Sequence, residues 1–348
     1  MRNDLAPVLS LIMKSNFRAA CPEDLDAIRD FLARAFGTSR EAPMLLPAAM
    51  KWKYWTERGD WSGPRAYLLE REGAVTAFAG LWPVTFGSGA DAVRGVHMID
   101  WASAKEAPGA GLALVQKLGA MFDFILAIGG SDMTQTVLPA FGFAECARQW
   151  EGARPLRPLR QMFTHQRRDW KLPARFVRNT LWSLRPIRGN GRYVEVPAAR
   201  VTAETSTRGM PRPAAFFEFL AKCPMTPFRF YAITDGERER GYFALSVVRG
   251  QARVAGLWLL EGERDWRAAY AMALQAAKAI GGANEVIAVG TGDETKQAAA
   301  AAGLHVVDGP PVYLLNKKGK LRLPPDFQFQ LSDDDHAFLD TGAADYRT

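Results

Sequence analysis

The stretch AIGGSDMTQTVLPAFGF at residues 127–143 recurs, without a gap, as AVGTGDETKQAAAAAGL at residues 288–304. Six positions are identical: Ala127/Ala288, Gly129/Gly290, Asp132/Asp293, Thr134/Thr295, Ala140/Ala301 and Gly142/Gly303. Each copy reads as a buried strand, a glycine-rich turn, a helix opened by Asp and Thr, and a glycine of the helix-end type. The helix upstream keeps the same register, with Lys117 over Lys278. A repeat of about 160 residues is too long for a solenoid unit. Two copies of one α/β domain in a single chain are the expectation.

Working outward from the first copy, Phe17–Ala20 reads as a short strand and Pro22 opens a helix with Leu25, Ile28, Phe31, Leu32 and Phe36 at helical spacing. Trp52, Tyr54, Trp55 and Trp61 follow. Residues 65–71 and 75–86 form a hairpin across Glu72-Gly73. Strand 95–101, helix 109–122, strand 124–128 and helix 134–140 complete the half. The second half repeats the order: a strand within 192–201, helix 213–222, a hairpin of 228–234 and 241–248 across Asp235-Gly236, strand 253–260, helix 265–280, strand 286–289, helix 294–302 and strand 311–316. Three successive strands and then a crossover give a mixed sheet and disfavour an all-parallel dinucleotide fold.

Length and composition agree. The chain has 348 residues, 48% hydrophobic and 23% charged, which suits two soluble domains. The apolar run Leu5–Met13 is too short to span a bilayer and reads as an N-terminal arm. Cys21, Cys146 and Cys223 form no CxxC pair, and His97, His165, His305 and His336 lack ligand spacing. No structural metal is expected, and the odd, scattered cysteines suit reduced thiols in a cytoplasmic protein.

Net charge is +7, concentrated between Glu151 and Arg192, where eleven Lys/Arg face only Glu151 and Asp169. Arg154, Arg157 and Arg160 alternate with Pro-Leu in an extended pattern, and residues 170–185 can form a helix. Phe176, Val177, Leu181 and Leu184 fall on one face, with Lys171, Arg175, Arg178 and Arg185 beside it. Such a helix can dock between the domains, lie on an anionic membrane surface, or display arginines to a cyclic dinucleotide or other phosphate ligand. No RNA- or DNA-binding module is evident, so nucleic acid is not the expected partner. The expected organisation is a domain at 1–150, a basic linker at 151–192, a second domain at 193–330, and a polar, frayed tail at 331–348.

Residues His97-Met-Ile-Asp100-Trp-Ala102-Ser103-Ala-Lys-Glu106-Ala-Pro108-Gly109-Ala110-Gly111-Leu112-Ala113, continued to the Phe141-Gly142-Phe143 turn, resemble the GCN5-related N-acetyltransferase (GNAT) family. The family signature is Arg or Gln, two residues, Gly, one residue, then Gly or Ala, between the fourth strand and a helix. Gly111 and Ala113 match its last two positions, and Gly109 fits the Arg-Gly-x-Gly variant. The resemblance implies a mixed α/β fold in two tandem acyl-CoA N-acyltransferase domains. It implies acetyl-CoA or another acyl-CoA as donor, its diphosphate held by Gly109, Ala110, Gly111, Leu112 and Ala113. The physical basis is plain: a glycine turn exposes amides, and a helix N-terminus favours negative charge.

The sequence also departs from the pattern. Pro108 replaces the signature Arg or Gln, and Leu138 stands where the family often has a tyrosine acid. The second half has Glu263-Arg-Asp265-Trp266 in place of the glycine turn, which suggests a degenerate copy completing the acceptor cleft or a homodimer contact. The tandem layout resembles FemAB-type transferases and enzymes of surface-polysaccharide synthesis. The implied reaction is acyl transfer to an amine, such as an amino-sugar acceptor, in the cytoplasm or at the inner face of the membrane. A non-catalytic acyl-CoA or phosphate-ligand sensor and a tRNA-dependent aminoacyl transferase are the alternatives.

The amine must lose a proton and the thioester oxygen must be stabilised. Asp100, His97 and Glu106 are the base candidates, and amides around Ala102 and Ser103 the oxyanion donors. Strand alternation puts His97 and Asp100 on opposite faces, so they share a side only if the strand bulges between them. Asp100 as a turn-capping acid, His97 as a satisfied half-buried histidine and Ser103 as a turn residue are the structural readings of the same positions.

Overall fold

Two residues set the first hairpin: Glu72 and Gly73 both sit at positive φ, 53° and 78°. That pair makes the tight primed turn whose twist matches its strands. In this computed structural model, which describes residues 15–87, 89, 92–130, 132–164, 169–202, 210–324 and 327–348, the turn joins β2 (Ala66–Arg71) to β3 (Ala74–Phe86). The Leu5–Met13 run, His165, Arg167 and Arg168 lie outside the described residues, as does the Asp132 side chain.

The chain separates into two units, residues 1–146 with 312–322, and residues 147–311 with 323–348. In the first, β1 (Asn16–Ala19) leads into α1 (Leu25–Phe36) and α2 (Pro47–Tyr54) before the β2–β3 hairpin. Then come β4 (Val93–Ser103), α3 (Ala110–Met121), β5 (Ile125–Ile128) and α4 (Asp132–Val137). β1 through β4 pair antiparallel in sequence order, and β4 pairs with β5 in parallel, as a helical crossover requires. The predicted helix 134–140 is split, because Pro139 ends α4 and starts a separate 3-10 turn at Pro139–Phe141.

One face of this sheet is covered by α3, whose Ala110, Ala113, Leu114, Val115 and Leu118 join Leu69, Ala79, Leu81, Val96, Met98 and Ile125 in one core. α1 and α2 cover the other: Trp52 meets Trp82 at 6.0 Å and Tyr54 meets Phe78 at 5.4 Å between ring centroids. Trp52, Tyr54 and Trp82 are therefore core residues, while Trp55 and Trp61 line a surface cleft of about 780 Å³ with Arg58, Asp60 and Arg94. Phe36, expected on the buried face of α1, is exposed next to the helix end.

The second unit repeats the order. It begins within β6 (Ala144–Pro155) and continues through α5 (Pro158–Thr164), α6 (Leu172–Leu184), β7 (Arg192–Val196) and α7 (Ala214–Ala221). β8 (Phe228–Asp235), β9 (Arg238–Val248), β10 (Gln251–Leu259), α8 (Trp266–Ala279), β11 (Glu285–Thr291), α9 (Asp293–Ala302) and β12 (His305–Leu315) follow. β7–β8–β9–β10 are antiparallel and β10–β11 parallel. Each unit is completed by a strand from the other half of the sequence. Val312–Leu315 of β12 pair antiparallel with β5, and Gln149–Pro155 of β6 pair antiparallel with β11. The start of the expected basic linker is thus strand.

The sequence repeat is a structural one. Gly142 and Gly303 both end their helical segments at positive φ, 89° and 118°. The expected caps differ from the structure, however. α9 is preceded by Gly292 with no side-chain cap, and Thr295 instead donates to the Thr291 carbonyl at 2.8 Å while accepting from Trp150 Nε1 at 3.1 Å.

The tail is a clear correction. Residues 331–348 are not frayed: Leu331, Ala337, Phe338 and Tyr346 are buried. Arg253 donates to the His336 and Leu339 carbonyls at 2.8 and 2.9 Å, and Arg212 holds Asp333 at 2.8 Å with both side chains buried. Apolar residues set between the acids supply the burial, and arginines of the unit take up the charge. Asp334, Asp335 and His336 place donor atoms within 4.8 Å of one another. His336 Nδ1 lies 2.7 Å from Asp334, whose carboxylate lifts the imidazole to about 9. The protonated ring is then an ion-pair partner of the Asp334 carboxylate.

Candidate active site

The site is built on the end of β4. Along β3, Gly80 pairs with Ile99 and Phe78 with Ala102, so β4 carries one residue more than its partner between those pairs. This is a β-bulge, and Asp100 within it adopts φ 48°. Aspartate tolerates the left-handed region better than most residues. The bulge breaks the alternation. Val96 and Met98 face α3, which leaves His97 on the α2 side, and Asp100 is turned to that side too.

There Asp100 is engaged. Its Oδ2 accepts from Lys53 Nζ and, at 2.6 Å, from the Tyr54 hydroxyl. The Lys53 side chain is fully buried and that of Asp100 is 4% exposed. His97 is also buried, opposite Trp82 in the ladder. Glu106 is exposed in the turn that leads to α3. The structure therefore brings Asp100 and His97 to one side of the sheet and leaves Glu106 apart from them. Sequence reading missed Lys53, and it singled out Tyr54 only within the aromatic group, not as a partner of Asp100. The available signal was a lysine set between Trp52 and Tyr54, inside a cluster of aromatic residues.

The second part of the site is the gap beside β4. β5 pairs with β4 only at Val96↔Ile125 and His97↔Leu126, and β4 then runs on from Met98 to Ser103. Ala104 N–H donates to the Thr76 carbonyl on β3 at 2.8 Å. The pleat therefore directs the Ser103 amide the other way, toward the gap. Of the two oxyanion candidates, the geometry favours Ser103 over Ala102.

The N-terminus of α3 follows directly. Gly109 occupies the cap position at φ 86° and supplies no side-chain cap. Ala110 N–H donates to Ala107 and Ala113 N–H to Gly109, at 3.1 and 2.9 Å. Of the first four helical amides, those of Gly111 and Leu112 remain outside the backbone bonding of the described residues. Ala110 and Ala113 turn their methyl groups into the core. Gly111 has a separate reason to be glycine. A Cβ there would lie 3.2 Å from both Ser103 Oγ and the Trp101 ring, so the helix seats closely on β4. Leu138 is fully buried in the same core, with no ionisable group at its position.

The corresponding helix of the second unit is closed to anions. Asp265 caps α8, its carboxylate accepting from the Ala268 amide at 3.0 Å. That oxygen satisfies one orphan amide and places a negative charge where an anion would sit. β10 also bulges, at Val254-Ala255-Gly256, but carries no ionisable group there.

No family model and no curated protein matches this sequence. Solved structures do. A probable N-acyltransferase of Enterococcus faecalis V583 superposes with a TM-score of 0.55 at 12% identity, over 86% of this chain and 72% of that one. A tandem GNAT protein from the clavulanic acid biosynthesis pathway gives 0.53 at 12% identity, over 86% and 98%. The N-myristoyltransferase of Saccharomyces cerevisiae gives 0.55 at 13% identity, over 95% and 86%. The fold of this chain is the mixed α/β acyl-CoA N-acyltransferase fold, in the tandem arrangement.

Proposed function

We propose that the chain is an acyl-CoA-dependent N-acyltransferase in which the first unit binds the donor. One observation carries the reading: α3 presents an uncapped, amide-bearing N-terminus beside the β4–β5 gap, whereas α8 is sealed by Asp265. In this reading the Gly111 and Leu112 amides hold the donor's diphosphate. The pantetheine arm lies along the free edge of β4, as an added strand would. The Ser103 amide polarises the thioester carbonyl. The acceptor is an amine, with an amino sugar of a surface-polysaccharide precursor the first class to test. The FemAB-like arrangement and a place at the inner membrane face belong to the same proposal.

Asp100 is the preferred proton acceptor because the bulge brings it to the end of β4. Its ties to Lys53 and Tyr54 support a second reading, in which the unit binds acyl-CoA without turning it over. The buried Leu138, at the position of the family's acid, favours the same alternative.

Calorimetry with acetyl-CoA and longer acyl-CoAs tests donor binding. Wild-type protein is expected to bind one donor, and Gly111→Arg to abolish binding, since the side chain would meet Ser103 and Trp101 and block the amides. Absence of binding to every acyl-CoA, or undiminished binding by Gly111→Arg, overturns the proposal. Binding without turnover on a panel of amines selects the second reading.

A further inference from the structure

α6 is inside out. Helical spacing places Pro173, Ala174, Val177, Leu181 and Leu184 on one stripe, about 100° of arc wide. That stripe is exposed, while the buried residue of the helix is Asn179, on the opposite side. Leu159 and Phe163 on α5, Trp170 just before α6, and Val177, Leu181 and Leu184 on it are each between 57% and 85% exposed. These are six of the eleven large hydrophobic side chains exposed among the described residues, so the exposure is concentrated in one segment. Exposed apolar groups gathered in this way mark an interaction surface.

The helix is held in that orientation. Asn179 Nδ2 donates to Gln161 Oε1 at 3.0 Å, and Gln161 Nε2 in turn donates to Glu285 and Thr348 in the buried interior of the unit. Arg154 grips the C-terminus through the Ser183 and Arg185 carbonyls. Rolling the helix to bury the stripe would break these bonds.

Charge identifies the occupant. Residues 157–188 contain nine Lys/Arg and one acid, Asp169, which is already paired with Arg175 at 2.6 Å. Arg160, Lys171, Arg185 and Arg188 of the same segment are exposed, with Arg160 also donating to the Gly281 carbonyl at 3.0 Å. A second copy would oppose like charges. A nucleic acid would use the cations but leave the stripe in water. An anionic bilayer surface accepts both: apolar side chains enter the headgroup boundary and the cations meet lipid phosphates.

We propose that α5 and α6 dock the second unit on an anionic membrane surface, with α6 lying in the interface plane. The inference deepens the membrane-face placement of the proposed function, and flotation reads lipid binding alone, so it can fail while donor binding stands. Flotation of the full chain with vesicles tests it. Vesicles of phosphatidylcholine with about a third phosphatidylglycerol are expected to carry the protein, and phosphatidylcholine alone to leave it behind, with binding weakened by salt. Val177→Asp/Leu181→Asp is expected to reduce binding by about tenfold or more, and Lys171→Glu/Arg185→Glu similarly. All four sites are exposed, so melting temperatures should match wild type and certify the fold. Failure of the wild-type protein to float at low salt overturns the proposal, as does undiminished flotation of the aspartate variant. So does a concentration-dependent dimer, seen by light scattering, that the aspartate variant abolishes.

Discussion

The Lys53–Asp100 pair shows how much one buried residue can be asked to do. Both side chains are out of water, and Tyr54 supplies a second donor to the same carboxylate oxygen. Desolvating two charges is costly, and losing one partner leaves the other exposed to that cost. Lys53→Met is therefore expected to lower unfolding free energy by about 3–5 kcal/mol, measured by denaturant titration. Lys53→Met/Asp100→Leu should recover much of the loss, because no lone charge remains. A single variant as stable as wild type would show that the pair does not hold β4 to α2. Asp100→Asn separates structure from chemistry at the same site. If Asp100 accepts the amine proton, turnover falls by about 100-fold or more while donor affinity is unchanged. Full turnover by the asparagine variant would remove Asp100 from the mechanism and return attention to Glu106 and His97.

At the scale of elements, the two crossover helices differ at the cap, Gly109 in one and Asp265 in the other. Asp265→Ala is expected to cost about 1 kcal/mol of stability, read from thermal denaturation, and to leave acyl-CoA affinity alone. The reciprocal change, Gly109→Asp, carries the second unit's cap into the first. Aspartate tolerates the left-handed backbone, and its carboxylate would meet the diphosphate. Affinity for acetyl-CoA in calorimetry should drop by about tenfold or more; an unchanged affinity would place the donor elsewhere. This asymmetry was legible in the sequence, since Gly109-Ala-Gly111 and Asp265-Trp266 differ in the property that matters. So were the hairpin at Glu72-Gly73 and the mixed sheet, because turn chemistry and periodicity are local. The bulge was not. It is fixed by the pairing of β4 against β3, residues about 20 apart, and strand alternation alone put Asp100 on the wrong face. Nor was the role of Lys53, whose partner is 47 residues away. Thr295 illustrates the same limit. Its pattern suits a cap, yet tertiary packing makes its hydroxyl the partner of Trp150.

On the scale of the whole molecule, composition misled most at the tail. Asp333-Asp334-Asp335 reads as solvated charge, but the fold supplies Arg212 to Asp333 and a histidine to Asp334. The latter contact gives the tail a pH signature whose sign is fixed. Asp334 raises the imidazole of His336 from 6.5 to about 9 in the folded chain. Folding then favours the protonated ring, so the contribution is complete below 6.5 and fades as pH rises toward 9. The ring is 44% exposed and solvent screens the pair, so the effect should be a fraction of a kcal/mol, on the order of a surface ion pair. The clean measurement is a difference. Melting temperatures of wild type and His336→Gln, taken across this range, cancel every other titration the two proteins share. Wild type should lead at the acidic end and the gap should close on the alkaline side of 9. A gap that stays level, or widens with pH, would mean that the imidazole enters the folded state neutral and that Asp334 is held by something else.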